Sequence, residues 1–245
     1  SMKIMIIRHA EPDYDNHTLT AQGFKERDAL GQFYKDYKFK NIYVSPLNRA
    51  LFTLEGILNY NNENKSKVSV KHWLHEFVYP IEEPVFHIKK NSWDLLPSYF
   101  VNHHNLYNND TYLDDEIYNG SNVKEKYLEA SKGLDEILKE NGYVRQKDGN
   151  YKVIKESKDT ILFVCHLGIM NVLLSHLLNI PYIVLCQTFF CAPTGVTLLN
   201  SEEREKGIAS FRCEVYGDTS HLKIKGIENS FSGRFCEVYS DPTRH

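Results

Sequence analysis

Four basic side chains in this sequence could together handle a tetrahedral anion. Arg8 and His9 are adjacent, Arg49 follows later and His166 lies in the second half of the chain. Guanidinium groups bind the oxygens of a phosphate dianion through fixed forks of N–H donors. A neutral imidazole beside them can attack phosphorus and carry the phosphoryl group as phosphohistidine. These residue types therefore indicate phosphoryl-transfer chemistry, provided that the fold brings them together.

Positive charge around such a site has two further consequences. Nearby cations lower the pKa of a histidine and keep it unprotonated, as a nucleophile must be. They also stabilise negative charge on the transferring phosphoryl group. We therefore predict that no metal and no other cofactor is needed. His87, His103 and His104 could suggest a metal site, but their spacing lacks the pattern of a zinc site.

Buried strands are predicted to position the basic residues. Lys3–Arg8 is a short Ile-rich run typical of a buried strand, and Thr160–Cys165 is another. In open α/β sheets, ligands bind beyond the carboxyl ends of the strands. If these two strands are neighbours, then Arg8, His9 and His166 meet at one edge of the sheet.

The other predicted elements continue the alternation of strands and helices. The sequence predicts helices over residues 20–38, 45–58, 93–107, 123–141 and 168–179, with Ser45-Pro46 as an N-cap and first helical position, and strands over residues 42–44, 68–74, 195–199, 210–216, 222–224 and 235–239. Such alternation predicts an α/β fold with an open, mostly parallel sheet flanked by helices.

Length and composition fit one domain. The chain has 245 residues, of which 42% are hydrophobic and 25% charged, close to globular averages. These values exclude a disordered chain, a collagen and a coiled coil, and a net charge of −3 disfavours a general nucleic-acid binder. We predict a single domain over residues 2–245, with residues 78–141 inserted into it as a cap.

Four motifs in order carry a resemblance to a known family. They are Ile6-Ile7-Arg8-His9-Ala10-Glu11, Leu19-Thr20-Ala21-Gln22-Gly23, the run from Ser45-Pro46-Leu47 through Arg49-Ala50 to Thr53, and Cys165-His166-Leu167-Gly168. Through them the chain resembles the histidine phosphatase superfamily, the phosphoglycerate mutase-like proteins. The resemblance covers roughly residues 2–78 and 158–200, and it implies the same α/β fold.

The resemblance also implies a role for each matching residue. His9 would be the nucleophile that takes the phosphoryl group. Arg8, Arg49 and His166 would bind the phosphate, and His166 would take part in catalysis. In this family a carboxylate after the third strand usually serves as proton donor.

The general acid and the substrate contacts are assigned less directly. Glu76, in Leu74-His75-Glu76, is similar to the family's proton-donor region, and Glu82 and Glu83 are the rival choices. Candidate substrate contacts are Asn16, Gln22 and Gly23. Residues 12–16 do not resemble the Ser-x-x-Asn run of phosphoglycerate mutases, which favours a phosphatase.

The sequence thus predicts a metal-independent phosphomonoester hydrolase of the histidine acid phosphatase type, acting through phosphohistidine on a small phosphorylated metabolite. The alternatives are a phosphoglycerate mutase-type phosphotransferase and a non-catalytic phosphate-binding protein. The expected partner is a small-molecule phosphate ester, with neither nucleic acid nor membrane, and a homodimer is left open. The five cysteines are an odd count without framework spacing, which indicates a reducing, cytoplasmic location.

Overall fold

The computed structural model describes residues 2–245, which are organised around an eight-stranded mixed sheet. The strands are β1 (Lys3–Arg8), β2 (Pro12–Asp13), β3 (Thr18–Leu19), β4 (Asn41–Val44), β5 (Val68–Val70), β6 (Pro80–Glu82), β7 (Lys89–Asn91), β8 (Tyr143–Arg145), β9 (Tyr151–Val153), β10 (Thr160–Cys165), β11 (Val196–Glu205) and β12 (Ile208–Asp218). The α-helices are α1 (Ala21–Phe33), α2 (Asn48–Tyr60), α3 (Pro97–Asn102), α4 (Val123–Glu140), α5 (Leu167–Leu178), α6 (Tyr182–Thr188) and α7 (Ser220–Ile224). Short 3-10 helices cover Asn62–Lys67, His72–Leu74, His104–Tyr107, Tyr112–Asp114 and Glu116–Tyr118.

The order of strands in the main sheet is β5-β4-β10-β1-β11-β12-β9-β8. The strands β5, β4, β10 and β1 run parallel, and the long β11–β12 hairpin extends the sheet in antiparallel fashion. The predicted α/β fold class is confirmed. The two strands that carry the basic residues are direct neighbours, with Arg8 opposite Cys165.

Helices cover both faces of the parallel strands, which explains their continuous apolar sequences. Side chains of β1 alternate between two hydrophobic clusters, with Met5 and Ile7 in the cluster under α1 and α2. Ile4 and Ile6 point into the larger cluster, which also contains residues of α4, α5 and α6. Removing apolar surface from water contributes about 25 cal/mol per Å² to the free energy of folding. Because both of their faces are buried, these strands are the most strongly stabilised part of the sheet.

Two glycines set the distance between α1 and α2. A Cβ atom on Gly31 would lie 2.0 Å from the carbonyl oxygen of Gly56, and one on Gly56 would lie 2.4 Å from that of Arg27. Neither position can accept a side chain without separating the helices. Because Arg49 lies in the first turn of α2, this close contact helps to fix where its guanidinium stands.

Some predicted elements end earlier than the sequence indicated. Helix α1 begins after the predicted cap Thr20, whose hydroxyl accepts from the Gly23 amide, but ends at Phe33 rather than residue 38. The strand predicted over residues 68–74 corresponds to β5, which covers only Val68–Val70. A 3-10 turn over His72–Leu74 replaces the second half of the predicted strand. The helix predicted over residues 93–107 is limited to α3 and one 3-10 turn.

Two strand predictions near the carboxyl terminus were wrong. Residues 222–224 lie in helix α7, since a run of three residues is too short for its period to distinguish a strand from a helical turn. Residues 235–239 form no strand, and Phe235, Val238 and Tyr239 are exposed rather than buried on a sheet. Alternating apolar residues without a neighbouring strand do not form one.

The segment 78–141 contributes to the main core. Its buried aromatic side chains, including Phe100, Tyr112 and Tyr118, belong to the same hydrophobic cluster as the strands. Trp93 and Tyr99 pack against that cluster, so these aromatics are not a separate small core. None of the helices within residues 2–245 has the length and apolar character that crossing a membrane would require.

Candidate active site

The carboxyl ends of β1 and β10 bring the predicted histidines together. The amide of His9 donates to the Cys165 carbonyl oxygen at 2.9 Å, which continues the parallel ladder by one residue. The rings of His9 and His166 are 5.1 Å apart between centroids, inclined at 60°. His9 is 1% exposed and His166 is fully buried. The two imidazoles therefore form one buried pair at the edge of the sheet.

Hydrogen bonding fixes the tautomer of His9. Burial, reinforced by the charges of Arg8 and Arg49, lowers the pKa of His9 well below its ordinary value. The neutral ring carries one N–H, and its Nδ1 is 2.7 Å from the Ala10 carbonyl oxygen, which can only accept. The proton therefore lies on Nδ1, and Nε2 keeps a lone pair. That is the state a nitrogen nucleophile requires.

Ser45 holds the second histidine. Its Oγ lies 2.7 Å from Nε2 of His166 and also accepts a hydrogen bond from the Leu47 amide at 3.2 Å. Burial first, and then the neighbouring His9 and the arginines, lower the pKa of His166 well below the ordinary value. The Nδ1 atom of His166 is buried without a protein partner.

The role of Ser45 differs from the sequence prediction. Ser45-Pro46 was expected to cap α2, but α2 begins at Asn48 with Leu47 at the N-cap position. The Ser45 hydroxyl contacts His166, a residue far away in the sequence, and this contact replaces a local cap. The general preference of serine for N-caps could not reveal a partner from another strand.

Arg8 is almost completely buried and is held from two sides. Its Nη1 donates to the carbonyl oxygens of Cys191 and Ser232, both at 2.8 Å. Burial lowers the pKa of Arg8, although arginine stays charged in proteins. The contact with Ser232 brings the carboxyl-terminal segment to the site, which no sequence motif had indicated.

Arg49 is linked to the loop after β1 through its own helix. Thr53, one turn further along α2, accepts a hydrogen bond from the Ala10 amide at 2.8 Å and donates to the Arg49 carbonyl oxygen at 2.7 Å. The spacing of Arg49 and Thr53 places them one above the other on the helix. The Arg49 guanidinium stacks on Tyr14, with 5.1 Å from its central carbon to the ring centroid.

Each of the three residues assigned to phosphate binding has one buried nitrogen atom without a partner. Arg8 Nε, Arg49 Nε and His166 Nδ1 are buried and have no hydrogen-bond partner within residues 2–245. Buried polar groups are normally paired, because an unpaired one costs about 1–3 kcal/mol. One oxyanion with several acceptor oxygens would pair all three. The geometry thus fits a phosphate-sized dianion beside His9.

Only one of the three candidate carboxylates lies at this edge. Glu76 accepts hydrogen bonds from the amides of Phe77 at 2.7 Å, Ile169 at 3.0 Å and Gly168 at 3.3 Å. The last two amides open helix α5 directly after His166.

The rival carboxylates lie in the β6–β7 hairpin. The Glu82 side chain is 69% exposed and lies 3.6 Å from His87. Glu83 is buried, and its oxygens accept from the Val85 and Phe86 amides of its own turn. Their positions favour Glu76 as the carboxylate nearest to the histidine pair.

The three predicted substrate contacts have different surroundings. The Asn16 side chain is hydrogen-bonded to Asp13 on an exposed turn. Gln22 donates to the Glu228 carbonyl oxygen at 3.3 Å. Gly23 packs so closely that a Cβ atom would lie 2.3 Å from the carbonyl oxygen of Glu11. Substrate contact by these residues stays a prediction.

A cavity of about 330 Å³ adjoins Arg49, bordered by Asp13, Tyr14, His17, Thr18, Pro46, Leu47 and Asn48. A larger groove of about 610 Å³ lies elsewhere, between Tyr143, Lys158 and Arg204. None of the predicted site residues lines that groove, whereas Arg49 lines the smaller cavity.

The sequence also contains histidines that could bind a metal and cysteines that could act as nucleophiles. His103 pairs with Asp115 at 2.7 Å. Among residues 2–245, no group of three or more His, Cys, Asp or Glu side chains is arranged to hold a metal ion. Burial raises the pKa of both Cys186 and Cys191 to about 12, which leaves the thiols protonated and unreactive near neutral pH.

The contact between Ser45 and His166 leads to a prediction. Ser45→Ala removes the hydroxyl that orients the imidazole, so we expect kcat for phosphate-ester hydrolysis to fall about tenfold, consistent with one hydrogen bond of about 1–1.5 kcal/mol. Ser92→Ala is a matched control, since Ser92 is equally buried and hydrogen-bonded to Tyr182 at 3.1 Å. Equal kcat losses in both variants would contradict a role specific to His166.

Comparison with known proteins gives one family match over part of the chain and several structures of similar fold. A family model described as histidine phosphatase superfamily (branch 1) matches residues 4–96. No curated protein sequence matches the chain. Among solved structures, phosphoserine phosphatase from Entamoeba histolytica, crystallised with 3-phosphoglyceric acid, aligns with a TM-score of 0.58 and 19% identity, over 91% of this chain and 100% of that one.

Two further structures share the fold. A mycobacterial glucosyl-3-phosphoglycerate phosphatase has a TM-score of 0.57 and 14% identity, over 89% of this chain and 99% of that one. The alpha-ribazole phosphatase from Shigella flexneri has a TM-score of 0.54 and 17% identity, over 89% of this chain and 96% of that one. The phosphoglycerate mutase-like architecture is therefore common to this chain and to several phosphatases.

Proposed function

We propose that this chain is a member of the histidine phosphatase superfamily, whose family model matches residues 4–96, and that it is a metal-independent phosphomonoester hydrolase of the histidine acid phosphatase type. The observation that carries the proposal is the set of three buried, unpartnered nitrogens, Arg8 Nε, Arg49 Nε and His166 Nδ1, beside a neutral His9. Several neighbours in fold are phosphatases by name, which supports the same reaction class.

In the first step, Nε2 of His9 attacks phosphorus and the bond from phosphorus to the ester oxygen breaks. Glu76 gives its proton to the leaving alkoxide, so that a neutral alcohol departs. Arg8, Arg49 and His166 bind the non-bridging oxygens, where charge is held during transfer. The products of this step are the alcohol and a phosphohistidine.

In the second step, water attacks the phosphohistidine. The phosphorus–nitrogen bond breaks, Glu76 takes the proton from the water, and His9 regains its lone pair. Inorganic phosphate then leaves, and the carboxyl group is ready to act as an acid again. The same three binding groups serve both steps, because the phosphoryl group moves little between them.

The direct test is phosphate release from a panel of small phosphomonoesters in the presence of EDTA. We expect hydrolysis that is unaffected by the chelator. A mutase would instead isomerise 3-phosphoglycerate without releasing phosphate, and a binding protein would retain phosphate without turning over p-nitrophenyl phosphate. Either result, or a strict need for added divalent metal, would refute the proposal.

The role of Glu76 gives a prediction about leaving groups. Glu76→Gln removes the proton donor, so kcat for an alkyl phosphate should fall by about 10²–10⁴-fold. The fall in kcat for p-nitrophenyl phosphate should be much smaller, because its leaving group departs without a proton. Comparing kcat for glycerol 3-phosphate and for p-nitrophenyl phosphate in wild type and variant measures this difference. Glu82→Gln is the control, and a selective loss for the alkyl ester in that variant would reassign the acid.

The lowered pKa values of the two histidines predict an extended acidic range of activity. His9 must be neutral to attack, and both His9 and His166 have pKa values well below 6.5. After correction for the second ionisation of the substrate phosphate, near pH 6, kcat/KM should stay level from pH 7 to well below pH 6.5. A fall centred at pH 6.5 would mean that the nucleophile has an ordinary pKa.

The segment 78–141 is proposed to shape the leaving-group side of the site. Trp93 supports this role, since a Cβ atom on Gly168 would meet both the Trp93 ring, at 3.0 Å, and Glu76 Oε1, at 2.5 Å. An aromatic side chain thus borders the proposed proton donor. A cytoplasmic location is also proposed, because all five cysteines are free thiols.

A further inference from the structure

A fully buried carboxyl group contacts the loop that follows β1. Glu26, in the second turn of α1, is 0% exposed, and its Oε1 accepts a hydrogen bond from the Glu11 amide at 2.8 Å. Its Oε2 is buried without a hydrogen-bond partner within residues 2–245. Glutamate is almost never fully buried unless it is paired. The contact with the Glu11 amide is therefore the feature that explains why a carboxyl group lies here.

The Glu11 amide belongs to the same peptide unit that orients His9. The carbonyl group of this unit is that of Ala10, and its oxygen accepts the hydrogen bond from Nδ1 of His9 at 2.7 Å. A peptide unit is planar, so the directions of its N–H and C=O are fixed relative to each other. Rotation of the plane would break both hydrogen bonds together. By holding the N–H, Glu26 therefore also holds the carbonyl group that His9 uses.

The two neighbouring peptide units are held by other residues. The Ala10 amide donates to Thr53 Oγ1 at 2.8 Å, and the Glu11 carbonyl oxygen accepts from the Thr20 amide at 3.1 Å. Neither contact involves the N–H or the C=O of the central unit. The rotation of that unit therefore depends on the contacts at its own two polar groups.

The orientation of this peptide unit decides which nitrogen of His9 can attack. The tautomer of a neutral histidine is set by the hydrogen bond that one of its ring nitrogens makes. With the Ala10 carbonyl oxygen in place, the proton stays on Nδ1 and Nε2 keeps its lone pair. If the peptide unit rotated away, Nδ1 would lose its acceptor and the proton could move to Nε2, the atom that attacks in the proposed mechanism.

The contact does not depend on the ionisation state of Glu26. Burial raises the pKa of Glu26 to about 7, aided by the Glu11 carboxylate and opposed by the Glu11 amide, the Gln22 side chain and the Arg8 charge. The ionised and the protonated carboxyl group both keep an oxygen that can accept from an amide. The hydrogen bond therefore persists on both sides of neutral pH, which is compatible with the level pH profile expected for His9.

We infer that Glu26 is a positioning residue, which orients His9 for attack through the peptide unit between Ala10 and Glu11. This inference rests on the proposed function, because it assigns a further residue to the same reaction. Glu26 acts through an intervening peptide unit and leaves the phosphate-binding groups in place. Its loss should therefore lower kcat and leave KM nearly unchanged.

Variants that keep or remove the acceptor oxygen test the inference. Glu26→Gln keeps an acceptor oxygen in nearly the same place, whereas Glu26→Leu and Glu26→Met remove it. We expect kcat for phosphate-ester hydrolysis to fall about ten- to a hundredfold in the Leu and Met variants, as expected for loss of one hydrogen bond to a buried group. Glu26→Gln should retain most of the wild-type kcat.

The position of the proton on His9 can be measured directly by ¹⁵N NMR of histidine-labelled protein at slightly alkaline pH. Protonated and unprotonated ring nitrogens differ in chemical shift, and the signals missing from His9→Ala assign His9. We expect the proton on Nδ1 in wild type and Glu26→Gln, and a substantial fraction on Nε2 in Glu26→Leu. If wild type hydrolyses no ester, the proposed function fails, while the tautomer still decides the role of Glu26.

Thr197→Val is a matched control for the loss of a buried acceptor. Thr197 is 0% exposed, and its Oγ1 accepts a hydrogen bond from the Gly217 amide at 3.1 Å. It pairs with Ile6 in the sheet rather than with a residue of the site. This substitution should leave both kcat and the tautomer of His9 unchanged.

Three results would overturn the inference. The first is retention of the proton on Nδ1 in Glu26→Leu, whatever its kcat. The second is an equal loss of kcat in Glu26→Gln and Glu26→Leu, since an acceptor oxygen would then not be what matters. The third is failure of both the Leu and the Met variants to fold while Glu26→Gln folds normally, since Glu26 would then stabilise the fold rather than orient the ring.

Discussion

His9→Ala is expected to lower phosphate release by about 10⁴-fold or more, the largest effect of any single substitution in this protein. In the proposed mechanism the lone pair on Nε2 of His9 attacks phosphorus: Nδ1 is hydrogen-bonded to the Ala10 carbonyl oxygen, and burial and Arg8 lower the pKa of the ring. Without the imidazole, water would have to attack the ester directly. Steady-state release of inorganic phosphate measures this loss.

Trapping of the phosphoenzyme gives independent evidence on the nucleophile. Brief incubation with a ³²P-labelled ester should label wild type with an acid-labile phosphate and leave His9→Ala unlabelled. His104→Ala is a suitable control, because His104 is an exposed histidine distant in sequence from every motif. Undiminished hydrolysis or labelling in His9→Ala would remove His9 from the mechanism.

Arg49→Ala should be the second most damaging substitution, lowering kcat/KM by about 10²–10³-fold. Charged donors that stabilise a transferring group are worth that much in other enzymes. The Arg49 side chain donates no hydrogen bond to the protein within residues 2–245, and its Nε is buried without a partner. Its removal should therefore cost activity with little change in the free energy of unfolding.

Thermal unfolding with and without phosphate separates binding from folding. Wild type should be stabilised by about 2.7 kcal/mol when phosphate reaches a hundred times its dissociation constant, and Arg49→Ala should lose most of that gain at the same concentration. Arg49→Lys keeps a charge and should recover part of it. If the variant unfolds at a lower temperature without phosphate, yet phosphate stabilises it as much as wild type, then Arg49 has a structural role instead.

The fold and the centre of the site could be predicted because their signals are local. The four apolar residues of β1 and the five of β10 are buried on both faces, and a short continuous apolar stretch is typical of such strands. A strand that ends in Arg8-His9 or Cys165-His166 delivers those side chains to the ligand-binding edge. The sequence left open whether β1 and β10 are neighbours, and the structure pairs them in parallel with Arg8 opposite Cys165.

Other parts of the site depend on contacts between distant segments, which local patterns do not encode. The bond from Ser45 to His166 joins residues that follow two different strands, and the bond from Arg8 to Ser232 joins segments far apart in the chain. The carboxyl-terminal residues were interpreted as strands from short apolar alternation alone. In the structure Leu222 is buried in α7 and the last residues are exposed, so packing rather than propensity decided their conformation.

The position of β1 in the middle of the sheet has a consequence for how the protein is made. Its hydrogen-bonding partners, β10 and β11, are separated from it by most of the chain. During synthesis the first strand must wait until both have left the ribosome, and closing such long loops is slow. The edge that holds His9 therefore forms late, once β10 and β11 are available, and a nascent fragment that ends before β10 leaves His9 without its neighbouring strands.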